Sequence, residues 1–178
     1  FTPTGEKNDF DLERPVVLSV GALNWYKHHE MVIKAVSRMG KGSLILVGVG
    51  PQFQELKELG ELKLGDRFKM ANFGYDDMPK VYRGVDLFTL PSWDREAFGI
   101  VYLEAMASGL PVVAPDDLSR KEIIGDGGIL VDVDSIGKYA EAIKKALATN
   151  WGNKPRRQAE KFSWDKIASQ YEKVLESL

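Results

Sequence analysis

Cysteine is absent from this chain of 178 residues. Disulfide bonds and thiolate metal sites are therefore excluded, and an intracellular setting is favoured. Acidic and basic side chains nearly balance, with a net charge of −2 at pH 7, so the charge gives no reason to expect nucleic acid as a partner. No apolar run approaches the roughly 20 residues that a membrane-spanning helix requires. The length and the hydrophobic content of 44% predict one globular domain with a full core.

Patterns that would hold a metal or a dinucleotide cofactor are also lacking. No group of His, Asp and Glu has the spacing of metal ligands, so we expect no metal and no cofactor. Asp116 and Asp117 are interpreted as the cap of a turn that follows them. Gly48 and Gly50 lack the third glycine of a dinucleotide fingerprint, which argues against a nicotinamide-dependent reaction.

Apolar runs typical of buried strands alternate with segments typical of helices. Because the runs are continuous, they predict a parallel sheet with both faces covered. We predict an α/β, Rossmann-like, doubly wound parallel six-stranded sheet with helices on both faces. The predicted strands are 15–20, 43–47, 68–73, 86–90, 111–114 and 128–131. The predicted helices are 28–39, 52–62, 76–83, one containing 103–107, 135–148, and one or two within 151–178. Residues 1–14 are predicted to be a linker to another domain and 15–178 the folded domain.

Two carboxylates frame the segment between the fourth and fifth predicted strands. Glu96 and Glu104 are eight residues apart, which is about 12 Å if the interval is helical. An acid/base pair acting on one bond needs a separation of roughly 5–10 Å, so the spacing favours two grips on one extended ligand. Backbone N–H groups at the helix start would attract a phosphate between the two grips. On spacing alone, the favoured interpretation is that two solvated glutamates merely flank an amphipathic helix.

Glycine-bearing turns follow the predicted strands at the edge where parallel sheets bind ligands. These are Gly21, Gly48 with Gly50, Gly74, and the loop from Glu96 to Gly99. Trp25 and Tyr26 lie in the loop that follows the first predicted strand. The sequence leaves three interpretations open for their side chains: stacking on a ligand, contact with another domain, or packing in the core.

The segment 91–114, PSWDREAFGIVYLEAMASGLPVVA, resembles the signature of the retaining glycosyltransferases of family four, which have the GT-B fold. The resemblance extends over roughly 15–178 and includes several further motifs in the same order. These are 20–23 with Lys27, 46–51, 73–75, 126–131 and 162–164. By this resemblance the chain is the C-terminal, donor-binding domain of such an enzyme, which moves a hexose from a nucleotide sugar to a hydroxyl acceptor.

The resemblance assigns two catalytic residues. Glu96 would hydrogen-bond the donor hexose, and Lys27 would neutralise the diphosphate and so stabilise the leaving group. Glu104 would bind the ribose hydroxyls. The remaining donor-binding positions are Gly21 for close backbone approach, Gly74 and Tyr75 at the base, and the backbone of Phe98, Gly99 and Ile100 at sugar and diphosphate.

One departure from the family concerns the diphosphate. Ala22 stands where the family usually has an arginine, so neutralisation falls to Lys27 alone or to Arg95, Arg120 or Lys121.

The implied partners are a UDP-, GDP- or ADP-sugar donor and an N-terminal acceptor domain that this chain lacks. We therefore expect weak or absent transfer by the chain alone. The implied location is cytoplasmic, with peripheral contact of the full-length protein at the inner membrane face left open. The alternatives are a non-catalytic nucleotide-sugar-binding module, a GT-B nucleotide-sugar epimerase, and a phosphorylase relative, for which no pyridoxal-binding lysine is identified.

Overall fold

The computed structural model describes residues 1–92, 96 and 98–176. Its sheet has six strands in the order β3-β2-β1-β4-β5-β6, and all paired neighbours are parallel. The strands are β1 Val16–Val20, β2 Ser43–Val47, β3 Phe68–Ala71, β4 Leu87–Thr89, β5 Val112–Pro115 and β6 Gly128–Val131. This order is that of a doubly wound sheet, so the predicted fold class is confirmed.

The helices of the described residues fall near their predicted places, with one addition. They are α1 His29–Met39, α2 Phe53–Leu64, α3 Met78–Arg83, α4 Ile100–Ala107, α5 Leu118–Ile124, α6 Ile136–Ala148, α7 Lys154–Ala159 and α8 Trp164–Glu176. Short 3-10 turns are Trp25–Lys27, Gly65–Arg67, Tyr75–Asp77, Gly125–Gly127 and Glu160–Phe162. The sequence predicted only a capped turn where α5 lies, and Asp117 does cap it by accepting from the Arg120 N–H at 3.0 Å.

Two other helices begin without a capping side chain. Asp77 precedes α3 without a side-chain hydrogen bond to the helix, and the turn before it is a 3-10 helix. Ser135 precedes α6 without a capping bond. The first buried side chains are Met78 in α3 and Tyr139 in α6, and packing of these apolar faces stabilises both helices without a capping bond.

The sheet separates two hydrophobic cores. Successive residues of β1 point to opposite faces, so Val16 and Leu18 join one core while Val17 joins the other. The first core is closed by α3, α4, α5 and α7, and the second by α1, α2 and α6. Both faces are therefore covered, as the continuous apolar strands predicted.

Residues 1–14 contain no helix or strand and pack beside α3. Phe10 is buried in the first core, the Asn8 N–H donates to the Lys80 carbonyl at 3.0 Å, and Glu6 pairs with Lys80 at 2.8 Å. The segment is thus held against the domain, and its role as a linker stays a prediction.

The last helix contrasts with the rest because none of its described side chains is buried. Its large apolar side chains, Trp164, Tyr171, Val174 and Leu175, are all exposed. Among the described residues, no helix is both long and apolar enough to cross a membrane.

Candidate functional site

A cleft of about 370 Å³ lies at the carboxyl edge of the sheet, beside the ends of β1 and β4. The strand order reverses between these two strands, and such a switch point is where doubly wound sheets bind ligands. The lining comprises Val20, Gly21, Lys27, Leu90, Glu96, Phe98, Gly99, Ile100 and Val101. The structure therefore brings together six of the nine predicted site residues in one cleft.

An ion pair crosses the cleft. The Lys27 Nζ lies 2.5 Å from Oε2 of Glu96, and the two side chains are only 15% and 13% exposed. Lys27 comes from the 3-10 turn after β1 and Glu96 from the loop after β4, so the two neighbouring strands deliver the two charges. A phosphate bound here would contact the Lys27 ammonium while that group is also paired with the Glu96 carboxylate.

The start of α4 opens into the same cleft. Gly99 precedes the helix with φ of 80°, and a Cβ there would lie 2.5 Å from the buried Tyr102 ring. Glycine is therefore required on both conformational and steric grounds. Phe98 and Ile100 beside it are exposed. The Tyr102 N–H donates to the Gly99 carbonyl at 2.9 Å, so Ile100 and Val101 carry the first-turn N–H groups that have no partner within the helix. This end can receive an anion.

The first two glycine turns pack against each other. The Gly21 N–H donates to the Val47 carbonyl at 3.0 Å, and a Cβ on Gly48 would collide with the Gly21 carbonyl oxygen. Gly48 is thus explained by packing between loops. A Cβ on Gly21 would meet the nearest protein atom, Nε2 of His29, at an ordinary 3.6 Å. Protein packing does not demand glycine at Gly21, and its open side faces the cleft.

His29 lies buried beneath this turn. Its Nδ1 is 3.2 Å from the Ser19 hydroxyl, and burial lowers its pKa to about 4, an effect that the Ala22 backbone opposes. The imidazole is therefore neutral at pH 7 and contributes no cation to a bound phosphate.

The predicted ribose and base residues form a second group beside the cleft. Glu104 lies one turn after Ile100 on α4, and its Oε2 accepts from the Tyr82 hydroxyl at 2.9 Å. Burial raises the pKa of Glu104, and the Tyr82 hydrogen bond opposes that rise. Tyr75 is 72% exposed, and Gly74 has open space around its Cα. Neither of them, nor Glu104, lines the cleft.

The 12 Å estimate for the two glutamates needs correction. Only the part of the interval from Ile100 onward is helical, because Gly99 turns the chain before α4. The conclusion that they act apart still fits, since Glu96 pairs with Lys27 and Glu104 with Tyr82.

Two of the other predicted phosphate cations, Arg120 and Lys121, do not line the cleft. Arg120 is 2% exposed and donates to the carbonyls of Ser92 and Glu96, while Lys121 pairs with Asp116 at 3.0 Å. Arg95 lies outside the described residues. Lys27 is thus the one cationic side chain of the cleft within the part of the chain that the structure describes.

Tyr82 and Arg120 are the site contributors that sequence reasoning missed or misassigned. Tyr82 meets Glu104 across 22 positions, and Arg120 reaches Glu96 across 24. Both contacts join separate elements, so no local spacing signals them.

The sequence matches the family model described as "Glycosyl transferases group 1" over residues 3–163. The chain belongs to this family. A group 1 relative from Methanocaldococcus jannaschii, an uncharacterized glycosyltransferase, is 32% identical over 89% of this chain and 44% of its own length. The D-inositol 3-phosphate glycosyltransferase of Mycolicibacterium smegmatis is 29% identical over 92% of this chain and 41% of its own.

Solved structures agree on the fold of this group 1 chain. The Anabaena protein HepE in complex with UDP superposes with a TM-score of 0.80 and 28% identity, covering 93% of this chain and 50% of that one. The pneumococcal O-GlcNAc transferase GtfA, with UDP and GlcNAc, gives 0.78 at 21% identity, covering 97% and 38%. The predicted family and GT-B fold are confirmed, and the chain spans about half or less of the length of these relatives.

Proposed function

We propose that this chain is the donor-binding domain of a glycosyltransferase that transfers a hexose from a nucleoside diphosphate sugar, with retention, to a hydroxyl acceptor. The observation that carries the proposal is the cleft at the β1/β4 switch point, where Lys27 and Glu96 pair beside the start of α4. The cation and the helix N-terminus match the diphosphate of such a donor, and the carboxylate beside them matches its hexose.

The diphosphate fits the positive side of this cleft. Its oxygens would accept from the Lys27 ammonium and from first-turn N–H groups of α4. Charge builds on the diphosphate as the glycosidic bond breaks, and both groups are positioned to stabilise that charge. In the retaining mode, the departing diphosphate accepts the acceptor's proton, so this domain needs no protein base.

Glu96 fits the hexose, since its carboxylate lines the cleft next to the ammonium that binds phosphate. Glu104 fits the ribose, one helix turn farther along α4. The Tyr82 hydroxyl holds one oxygen of Glu104, and a carboxylate has further lone pairs that can accept from vicinal hydroxyls. Tyr75 would then border the base from its exposed position.

The acceptor contacts would come from a second domain facing this edge. Large apolar side chains are exposed in the segments that follow the carboxyl ends of five strands, and exposed apolar side chains grouped at one edge are typical of an interaction face. They are Trp25, Val49, Phe53, Tyr75, Phe98, Ile100 and Leu118. The core alternative for Trp25 is excluded, because that side chain is 56% exposed. The coverage of the relatives leaves room for such a domain.

Calorimetric titration of the chain with UDP, GDP and ADP, and then with UDP-glucose and GDP-mannose, tests the proposal. We expect one nucleoside diphosphate to bind, and we expect Glu104→Gln to weaken that binding at least tenfold, the equivalent of roughly 1.4 kcal/mol. Glu58→Gln, an exposed carboxylate on α2, is the matched control and leaves affinity unchanged. Binding of none of these nucleotides would contradict the proposal, and robust hexose transfer by the chain alone would contradict the need for a second domain.

A further inference from the structure

Arg120 is buried behind the loop that carries Glu96. Its side chain is 2% exposed, and it is the largest of the fully buried side chains described. The Nη2 atom donates to the Ser92 carbonyl at 2.6 Å, and Nη1 donates to the Glu96 carbonyl at 3.2 Å. One guanidinium thus binds the backbone at both ends of a five-residue span.

The charge of this arginine is compensated by Asp117. The Asp117 carboxylate lies 3.4 Å from Nε and from Nη1 of Arg120, and it also accepts from the Arg120 backbone N–H at 3.0 Å. A buried charge without such a partner would be costly. Asp117 therefore fixes the guanidinium from the start of α5 and does not itself line the cleft.

The same loop is tied to the turn that carries Lys27. The buried Ser92 donates its hydroxyl to the Tyr26 carbonyl at 3.2 Å, next to the Lys27–Glu96 pair. Ser92 is thus bound through its carbonyl to Arg120 and through its side chain to the other loop. The planar guanidinium of an arginine can donate to the Ser92 and Glu96 carbonyls at the same time, whereas a lysine offers one point charge.

We propose that Arg120 is a positioning residue that fixes the backbone at Ser92 and Glu96, so that the Glu96 carboxylate meets Lys27 in the cleft. This inference rests on the proposed function, in which Glu96 binds the hexose and not the nucleotide. Arg120 therefore controls recognition of the sugar from outside the ligand's reach.

The functional test compares a nucleoside diphosphate with its sugar conjugate, using UDP and UDP-glucose or GDP and GDP-mannose, whichever pair the unaltered chain binds. Arg120→Met should leave affinity for the nucleoside diphosphate within about twofold and weaken the sugar conjugate about tenfold, a factor equivalent to 1.4 kcal/mol. Arg120→Lys should weaken binding of the sugar conjugate by less than Arg120→Met does, because one ammonium reaches only one of the two carbonyls. Arg67→Met is the matched control, since Arg67 also donates to a backbone carbonyl, that of Gly42, at the opposite edge of the sheet. Equal loss for both ligands, or no loss for either, would overturn the inference.

A second measurement does not depend on any ligand. The backbone order parameter of the Glu96 amide, from NMR relaxation, should fall from near 0.85 to below about 0.6 in Arg120→Met. It should be unchanged in Arg67→Met. If the unaltered chain binds no nucleotide, the proposed function fails, and this order parameter alone decides on Arg120. An unchanged value at Glu96 in Arg120→Met would refute the positioning role.

Discussion

Gly99 and Gly40 offer a matched pair of substitutions that separates backbone strain from steric conflict. Both glycines have φ of 80° and both adjoin a helix, Gly99 at the start of α4 and Gly40 at the end of α1. A Cβ on Gly40 has nothing within 4 Å, whereas a Cβ on Gly99 lies 2.5 Å from the Tyr102 ring. Alanine at Gly40 therefore introduces only strain, and alanine at Gly99 introduces strain and overlap.

The magnitudes follow from these contacts. The strain of alanine in the left-handed region is about 1 kcal/mol, and overpacking against a fixed core side chain adds about 2 kcal/mol. Tyr102 is fixed because it is fully buried and its hydroxyl donates to the Leu90 carbonyl at 2.5 Å. For a domain of this size each kcal/mol lowers Tm by about 2–4 °C. We expect a fall of about 3 °C for Gly40→Ala and about 9 °C for Gly99→Ala.

Thermal unfolding followed by circular dichroism measures the decrease in Tm of each variant. Calorimetric titration with the nucleoside diphosphate that the unaltered chain binds measures the change in affinity at the cleft. Gly99→Ala should also weaken that binding, because a shifted α4 start moves the N–H groups that face the cleft. Gly40→Ala should not. If the two variants lose the same stability, the overlap with Tyr102 is relieved at no cost and the steric part of the reasoning is refuted.

Two further changes test the charges around the cleft. Lys27→Met should weaken nucleoside diphosphate binding by about 10–100-fold, the range of a lost charge-assisted hydrogen bond. Calorimetry measures this loss, with Lys34→Met as the control because Lys34 is exposed. Equal affinities of Lys27→Met and the unaltered chain would contradict the role of Lys27. His29 has a folded pKa near 4 against an ordinary 6.5, so its stability contribution is present above pH 6.5 and about 3 kcal/mol is lost as pH falls to 4. Urea unfolding from pH 4.5 to 7.5 should show a flatter profile for His29→Gln, and parallel profiles would refute the assignment.

The fold follows from the sequence because its strands are continuous apolar runs. The runs at β2 and β6 coincide with the predicted 43–47 and 128–131, and the other strands differ by a few residues at their ends. The start of α4 was harder to place, since Ile100, Val101 and Tyr102 are weak helix formers. Packing of Tyr102 into the first core overrides that local preference.

Six of the nine predicted site residues line the cleft, but their arrangement could not be predicted from the sequence. The rule that ligands bind at the carboxyl edge, with the family resemblance, selects Lys27 and Glu96. Their pairing joins positions 69 residues apart, and it depends on the register that places β1 beside β4. The Arg120 contacts depend in the same way on α5, a seven-residue helix whose first residue, Leu118, is 84% exposed and gives no apolar periodicity.

The substitution that most directly tests the charge balance of the cleft is Ala22→Arg. Ala22 is exposed and is the chain neighbour of Gly21, which lines the cleft, so a long side chain at position 22 can be accommodated. Because Lys27 shares its charge with Glu96, a second cation should strengthen nucleoside diphosphate binding about tenfold at low salt. The gain should shrink at 0.5 M salt, since exposed charges are screened beyond a few ångströms. Ala22→Gln supplies a long polar side chain without the charge, and a gain as large with glutamine would show that contact, and not charge, is what the cleft lacks.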